Sequence, residues 1–275
     1  LIGVFDSGVG GLSVWRQLAP CLPNVPMIYL GDQAHVPYGA RTGDEVRELA
    51  ERCTRWLIER GCSVIVIACN TASADALHSL RVQFPKTAFV GMEPAVKPAA
   101  QHTHTGVIGV LATQVTLRGR LFASVKERFA SNVTVLEQVC KEWVEAVEGW
   151  KVGRLEGWDN SSNFPTFQLV KRHVEPLLAQ NADTLVLGCT HFPFLLPLIE
   201  RTIDDWRATH PQASEVMVID PAPAVARQAM RVWGEHEHTQ DSASREFWTT
   251  GDAQRFDAVA SVLLGYVVRS QQVVI

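Results

Sequence analysis

VIVIACNTAS at residues 64–73 and TLVLGCTHFP at residues 184–193 share one design. Each opens on a run of β-branched and aliphatic residues. Each then passes one small residue (Ala68 or Gly188) to a cysteine (Cys69 or Cys189) and continues through polar residues that include Thr71 or Thr190. An apolar run without alternation reads as a strand covered on both faces, which belongs in a parallel sheet. In such folds ligands bind beyond the carboxyl ends of the strands. The two cysteines are thereby predicted at strand-to-helix turns on ligand-binding edges. GVFDSG at residues 3–8 and GVLATQ at residues 109–114 form a second, looser echo. The chain reads as two similar α/β halves with mainly parallel sheets.

Working outward, strands are predicted over residues 2–5, 27–30, 64–68, 88–90, 107–111, 133–136, 184–187 and 216–219. Helical patterns lie between them at 43–60, 72–84, 118–129 and 167–180. Asp44 and Glu45 in a first turn and Arg60-Gly61 at an end mark helix boundaries. Strand–helix alternation implies right-handed crossovers and parallel pairing. The stretch 93–105, with Pro94 and Pro98, is the best domain crossing, and 209–214, with Pro211, is a second. We expect one domain over 1–95 plus 208–275, contributing Asp6 and Cys69. The other spans 96–207 and contributes Cys189 and His191, with the active site in the cleft between them. The Trp- and Asn-bearing stretch 149–167 reads as an exposed insertion.

The 275 residues are 47% hydrophobic and 20% charged, enough apolar material for one or two cores and too much for a disordered chain. The formal net charge of −4 gives no electrostatic case for nucleic acid. No apolar run approaches the roughly 18 residues of a membrane span, and residues 1–5 lack the basic flank of a signal peptide. Six cysteines without CxxC spacing read as free thiols in a reducing cytoplasm.

Free cysteines are usually core filler, and Cys21, Cys53, Cys62 and Cys140 are read that way. Cys69 and Cys189 differ because both sit at strand ends, where unpaired backbone N–H groups favour thiolate. Two opposed thiols suit inversion of a carbon centre without redox chemistry: one removes a proton from one face, the other delivers a proton to the opposite face. Asp6 and Ser7, ahead of Gly8, Gly10 and Gly11, read either as an anion nest with an assisting carboxylate or as an ordinary helix cap. DSGVGG is neither GxGxxG nor a P-loop. His191, two residues after Cys189, is placed to move protons or to stabilise thiolate. Val36-Pro37-Tyr38-Gly39 reads as a tight loop after the second strand. The pairs His102/His104, His236/His238 and Cys189/His191 lack metal-site spacing, so no metal is expected. GxSxG is absent.

FDSGVGGLSV (5–14), Asp32 with Pro37-Tyr38-Gly39, ACNTAS (68–73) and GCTHFP (188–193) resemble, in order and context, the bacterial glutamate racemases of the aspartate/glutamate racemase superfamily. The resemblance covers most of the chain. It implies cofactor-independent interconversion of L- and D-glutamate, the D-isomer feeding peptidoglycan synthesis. It implies that Cys69 acts on the D-isomer and Cys189 on the L-isomer, assisted by Asp6 and His191. Ser7, Tyr38, Gly39, Asn70, Thr71, Thr190, Thr113 and Thr116 match substrate-contact positions, and Pro37 shapes its loop. A homodimer is implied, as is activation of some relatives by a peptidoglycan precursor. The sequence departs from the family after Cys140, where it reads VCKEWVEAVEGW; Glu148 falls at the matching place for a further acidic assistant.

Rival readings are an aspartate or hydantoin racemase, a dicarboxylate cis–trans isomerase, a non-catalytic amino-acid-binding protein and a thiol redox protein. Substrate competition separates the first two, turnover the third, and a Cys69–Cys189 disulfide required for activity the fourth.

Overall fold

A computed structural model describes residues 1–149, 165–235 and 243–275. Most of the expected insertion at 149–167, and the pair His236/His238, lie outside the described residues. The chain runs β1 (Ile2–Asp6), α1 (Leu12–Leu18), β2 (Met27–Gly31), α2 (Gly43–Glu59), β3 (Val64–Ile67), α3 (Asn70–Gln83), β4 (Ala88–Gly91), α4 (Val96–His102), β5 (Val107–Ala112), α5 (Gln114–Arg118) and α6 (Arg120–Phe129). It continues as β6 (Thr134–Val139), α7 (Lys141–Glu148), α8 (Pro165–Leu178), β7 (Thr184–Gly188), α9 (Leu196–Thr209), β8 (Met217–Ile219), α10 (Ala222–Gly234), β9 (Arg245–Thr249), α11 (Ala253–Leu264) and β10 (Ser270–Gln272). None of the described helices is long and apolar enough to cross a membrane. Two compact units result, Leu1–Glu93 with Ala222–Ile275, and Pro94–Pro221.

The first unit holds a six-stranded sheet in the order β10-β9-β2-β1-β3-β4, with every described pairing parallel. β1, β2 and β3 are buried along their whole length, as their unbroken apolar runs require. Their core partners include Leu49, Ala50, Cys53 and Leu57 from α2 and Ala72, Ala76 and Leu80 from α3. Helix α2 starts where a capping box forms: Thr42 Oγ1 accepts from the Glu45 N–H, and Glu45 Oε2 accepts from the Thr42 N–H. Two strands lay outside the sequence expectation. β9 carries Arg245 and Glu246 within five residues, and β10 reads Ser-Gln-Gln. β9 also carries the β-favouring Phe247-Trp248-Thr249 and pairs with β2, whereas β10 is strand only through its pairing with β9.

The second unit holds four parallel strands in the order β6-β5-β7-β8. Its core gathers Ile108, Val110, Phe122, Val125 and Val186. Aligning β5 with β1 and β7 with β3 makes this order the same as β2-β1-β3-β4, so the two sequence echoes occupy matching places in two sheets. The return to the first unit falls at residue 222, later than the expected 208, because β8 pairs with β7, Thr184 opposite Met217. The expected single helix over 118–129 divides at Gly119, whose extended backbone (ψ 145°) separates α5 from α6. At the amino end of β7, Asp183 fastens the 103–105 turn. It accepts from Thr103 Oγ1 at 2.5 Å and from the backbone N–H groups of His104 and Thr105 at 2.7 and 2.8 Å. Burial opposes the charge, but these bonds hold its carboxyl below the ordinary aspartate range.

Candidate active site

The carboxyl ends of β1 and β3 lie side by side, with the Ala68 N–H donating to the Phe5 carbonyl at 2.9 Å. The turns that follow therefore share one edge. Asp6 is fully buried, and its Oδ1 accepts from the Gly8 N–H at 2.9 Å. The Gly8 carbonyl in turn accepts from the Tyr29 hydroxyl at 2.8 Å. A Cβ on Gly11 would stand 2.6 Å from Asp6 Cβ and 2.9 Å from Ala68 Cβ. Glycine there lets the loop close over the end of the strand.

Cys69 is the residue on which α3 begins. Its backbone is extended, and its Sγ accepts from the Ala72 N–H at 3.5 Å, the position of a capping oxygen. A helix of 14 residues directs its positive end at this sulfur. Ser7 Oγ lies 4.0 Å from Cys69 Sγ. Asn70, Thr71 and Ser73 are buried in the first turn. Ser73 Oγ donates to the Ile67 carbonyl and accepts from the Met92 N–H, so it braces the turn. Asn70 Nδ2 is a buried donor that has no hydrogen-bond partner among the described residues.

In the expected loop the Val36–Pro37 bond is cis, and Tyr38 is fully buried. Its hydroxyl donates to Asp32 Oδ2 at 2.5 Å and stands 3.9 Å from Cys53 Sγ. Burial, Cys53 and the Asp32 carboxylate hold the Tyr38 hydroxyl protonated, well above the ordinary tyrosine range. The Tyr38 side chain thus belongs to the core. Asp32, absent from the sequence-derived site residues, gathers the edge together. It also accepts from Thr250 Oγ1 at 2.7 Å and meets His35 Nδ1 at 2.8 Å. An aspartate directly after an apolar strand was the available signal.

In the second unit Cys189 follows β7. A Cβ on Gly188 would stand 2.8 Å from Ala112 Cβ, so the glycine lets β5 and β7 stay close where the cysteine emerges. No α-helix starts at this cysteine, contrary to expectation. Residues 189–191 form a turn, Phe192–Leu195 a 3-10 helix, and α9 begins only at Leu196. Pro193 and Pro197 each lack an N–H and sit in the opening turns of these two segments, where proline is tolerated.

Cys189 is served instead by side chains. Its Sγ lies 3.5 Å from His191 Nδ1, and His191 Nε2 lies 2.7 Å from Glu148 Oε1. All three residues are buried. Burial alone would push the His191 pKa down. The hydrogen bonds to Cys189 and Glu148 outweigh it and carry the imidazole well above the ordinary histidine value. The result is a carboxylate–imidazolium–sulfur relay. Thr190 is buried beside it. Just after the neighbouring β5, Thr113 caps α5, and its hydroxyl meets that of Thr116 at 3.0 Å. Cys140, expected to be structural, is buried and its thiol is pushed up by that burial. Cys53 and Cys62 are likewise buried, with raised pKa values. Cys21 is exposed, and all six cysteines are free.

Among the residues singled out in the sequence, Asp6, Ser7 and Cys69 meet at one edge, and Glu148, His191 and Cys189 meet at the other. The chain matches the Asp/Glu/Hydantoin racemase family over residues 2–229. It is 46% identical over 266 residues to a glutamate racemase of Ectopseudomonas mendocina, covering 96% of this chain and 94% of the relative. It superposes on glutamate racemase isoform RacE1 from Bacillus anthracis with a TM-score of 0.81 at 29% identity, covering 99% of this chain and 97% of that one. The Escherichia coli glutamate racemase, solved with L-glutamate and the activator UDP-MurNAc-Ala, matches with a TM-score of 0.81 at 31% identity over 98% and 96% of the two chains. From its strand-end cysteines to its near full-length kinship, this chain belongs to the Asp/Glu/Hydantoin racemase family.

Proposed function

We propose that the protein is a glutamate racemase that interconverts L- and D-glutamate by two-base proton transfer at the α-carbon. The observation that carries this reading is the equivalent placement of Cys69 and Cys189 after β3 and β7, each with its own hydrogen-bonding partner at the sulfur. The choice of glutamate is supported by the names of the curated relatives and of the structural neighbours.

In the L-to-D direction the Cys189 thiolate removes the α-proton, and the electron pair of the C–H bond passes into the α-carboxylate. Cys69, starting as a thiol, delivers its proton to the opposite face. The cycle ends with Cys189 protonated and Cys69 ionised, and a proton exchange with solvent resets the pair. The reverse direction starts from the opposite protonation states. The developing negative charge needs donors aimed at it in advance. The Asn70 amide, the Thr71 hydroxyl, the Ser7 hydroxyl and the first N–H groups of α3 supply them at one edge. Thr190, Thr113 and Thr116 supply them at the other. Pro37, Tyr38 and Gly39 contribute the backbone of their loop. Asp6 assists Cys69, as His191 with Glu148 assists Cys189. A carboxylate held by several such donors is bound both by charge and by geometry.

D-Glutamate made this way feeds peptidoglycan synthesis in the cytoplasm, and the protein acts as a homodimer with no need of a metal or cofactor. The activator bound by the Escherichia coli relative makes a peptidoglycan precursor the regulator to try here.

Optical decay of L-glutamate, L-aspartate and 5-substituted hydantoins, followed in parallel with the purified protein, tests the reading. Decay to zero with glutamate and little change with the others is expected. Faster decay with aspartate or a hydantoin would reassign the substrate, and none with any of them, even with the precursor present, would leave a binding protein.

A further inference from the structure

Helix α7 reaches the second half-site through Glu148, yet its buried face begins a turn earlier, with Trp143, Val144, Val147 and Glu148 forming one stripe. Trp143 is fully buried. Its ring meets Phe192, the residue after His191, with centroids 4.8 Å apart and planes at 68°. Its indole N–H donates to Nδ1 of His173 on α8 at 3.1 Å. An indole nitrogen only donates, so this bond needs the His173 ring with its hydrogen on Nε2. That nitrogen faces Glu142 at 3.9 Å, and Glu142 faces Arg172 at 3.4 Å. The same Nδ1 also lies 3.0 Å from the Leu169 carbonyl, an acceptor that competes for the other tautomer. The proton transfer described above uses neither Trp143 nor His173.

We propose that Trp143 and His173 are positioning residues for the Cys189 half-site, locking α7 against α8 and the 191–192 turn in the register where Glu148 meets His191. This rests on the reading of Cys189 and His191 as a proton-transfer pair. A helix of eight residues is too short to keep its place unaided. A slip of one residue would move the Glu148 carboxylate about 1.5 Å along the helix and about 100° around it, out of its 2.7 Å contact with His191. Packing of the Trp143 ring on Phe192 sets the depth of α7. The directional N–H bond to His173 sets its rotation, which a phenylalanine of similar shape would leave open.

The test follows the His191 imidazole by 15N NMR of histidine-labelled protein across pH, together with steady-state kinetics. The variants are Trp143→Phe, His173→Leu and His173→Gln, with Glu148→Gln as reference. Trp143→Phe and His173→Leu are expected to lower the His191 midpoint in the same direction as Glu148→Gln. They should lower kcat on the order of tenfold with KM little changed. His173→Gln keeps an acceptor for the indole and should hold the parent profile. Adding Trp143→Phe to Glu148→Gln should lower kcat no further. A His191 titration that is unmoved in Trp143→Phe and His173→Leu while Glu148→Gln shifts it would overturn the positioning role, whatever happens to kcat. The NMR titration needs no substrate. A parent protein that fails to exchange the α-proton of glutamate would therefore count against the function and not against the positioning.

Discussion

The turn after β3 and the turn after β7 hold the same place in two sheets of the same strand order, yet they surround their sulfurs by different means. At Cys69 the means is backbone: the sulfur caps a 14-residue helix and accepts from the Ala72 N–H. At Cys189 the helix is displaced to Leu196, and the means is a relay of side chains, His191 at 3.5 Å and Glu148 at 2.7 Å behind it. Peptide dipoles do not titrate. An imidazolium does. One fold position thus supports a half-site whose electrostatics are fixed and another whose electrostatics depend on pH.

The largest expected effect removes either thiol. Cys69→Ser and Cys189→Ser should each lower kcat/KM by about 10²–10⁴-fold, the usual contribution of a positioned acid or base. The two enantiomers have equal free energy, so each variant must lose the same factor in both directions. A variant near parental turnover in an optical assay would break the pairing of the two half-sites.

Glu148→Gln sharpens the comparison, because it acts on one half alone. Losing a hydrogen bond to a charged group, worth about 1.5–3 kcal/mol, should reduce kcat on the order of tenfold or more and let the His191 pKa fall. The sign for stability follows. The folded His191 pKa is raised above 6.5, so its contribution is complete below that value and is lost as pH rises through the folded pKa. Thermal unfolding of the parent should weaken over that alkaline window, and Glu148→Gln should flatten the slope. An unchanged slope would separate Glu148 from His191.

At the other edge, Asn70→Ala removes a buried amide whose Nδ2 has no hydrogen-bond partner among the described residues. We expect KM for glutamate to rise several-fold, in keeping with about 1 kcal/mol per hydrogen bond, with the pH dependence of kcat unmoved. A shifted pH profile in this variant would contradict a half-site held by fixed donors.

The smallest effect on activity is expected from Asp183→Asn, at the amino end of β7. Its carboxylate holds the 103–105 turn by three bonds, so the variant should lose about 1–3 kcal/mol of stability while kcat stays near parental. Because the folded pKa of Asp183 is lowered, its contribution is present above the unfolded value and fades as pH falls through the folded one. Chemical denaturation at neutral and acid pH reads this directly, and a large kcat loss would tie the clasp to the active edge.

Much of this contrast was legible in the sequence. Unbroken apolar runs announced β1, β3, β5 and β7, and strand ends in parallel sheets mark Asp6, Cys69 and Cys189 without reference to their partners. Glu148 was harder, because it meets His191 across 43 residues of chain and through a helix whose register is set by tertiary packing. Tyr38 shows the opposite difficulty. The resemblance marked it as a substrate-contact position, but nothing in the sequence signalled that its hydroxyl would be tied to the Asp32 carboxylate in the core. β10 was missed because its Ser-Gln-Gln is polar and becomes strand only by pairing with β9, whereas in β9 the charged Arg245-Glu246 masked the β-favouring Phe247-Trp248-Thr249 that follows. The late return to the first unit has another origin: the strand expected at 216–219 was legible, but that it joins the second sheet depends on its pairing with β7.

The central claim is that two thiols act on opposite faces of one carbon. The most direct test is the reaction of L-glutamate in deuterated buffer, stopped at low conversion, with both enantiomers separated and analysed by mass. Two-base transfer predicts D-glutamate carrying one deuterium at the α-carbon and recovered L-glutamate carrying none. Deuterium in both enantiomers from the first turnovers, or D-glutamate that retains the original hydrogen, would contradict it.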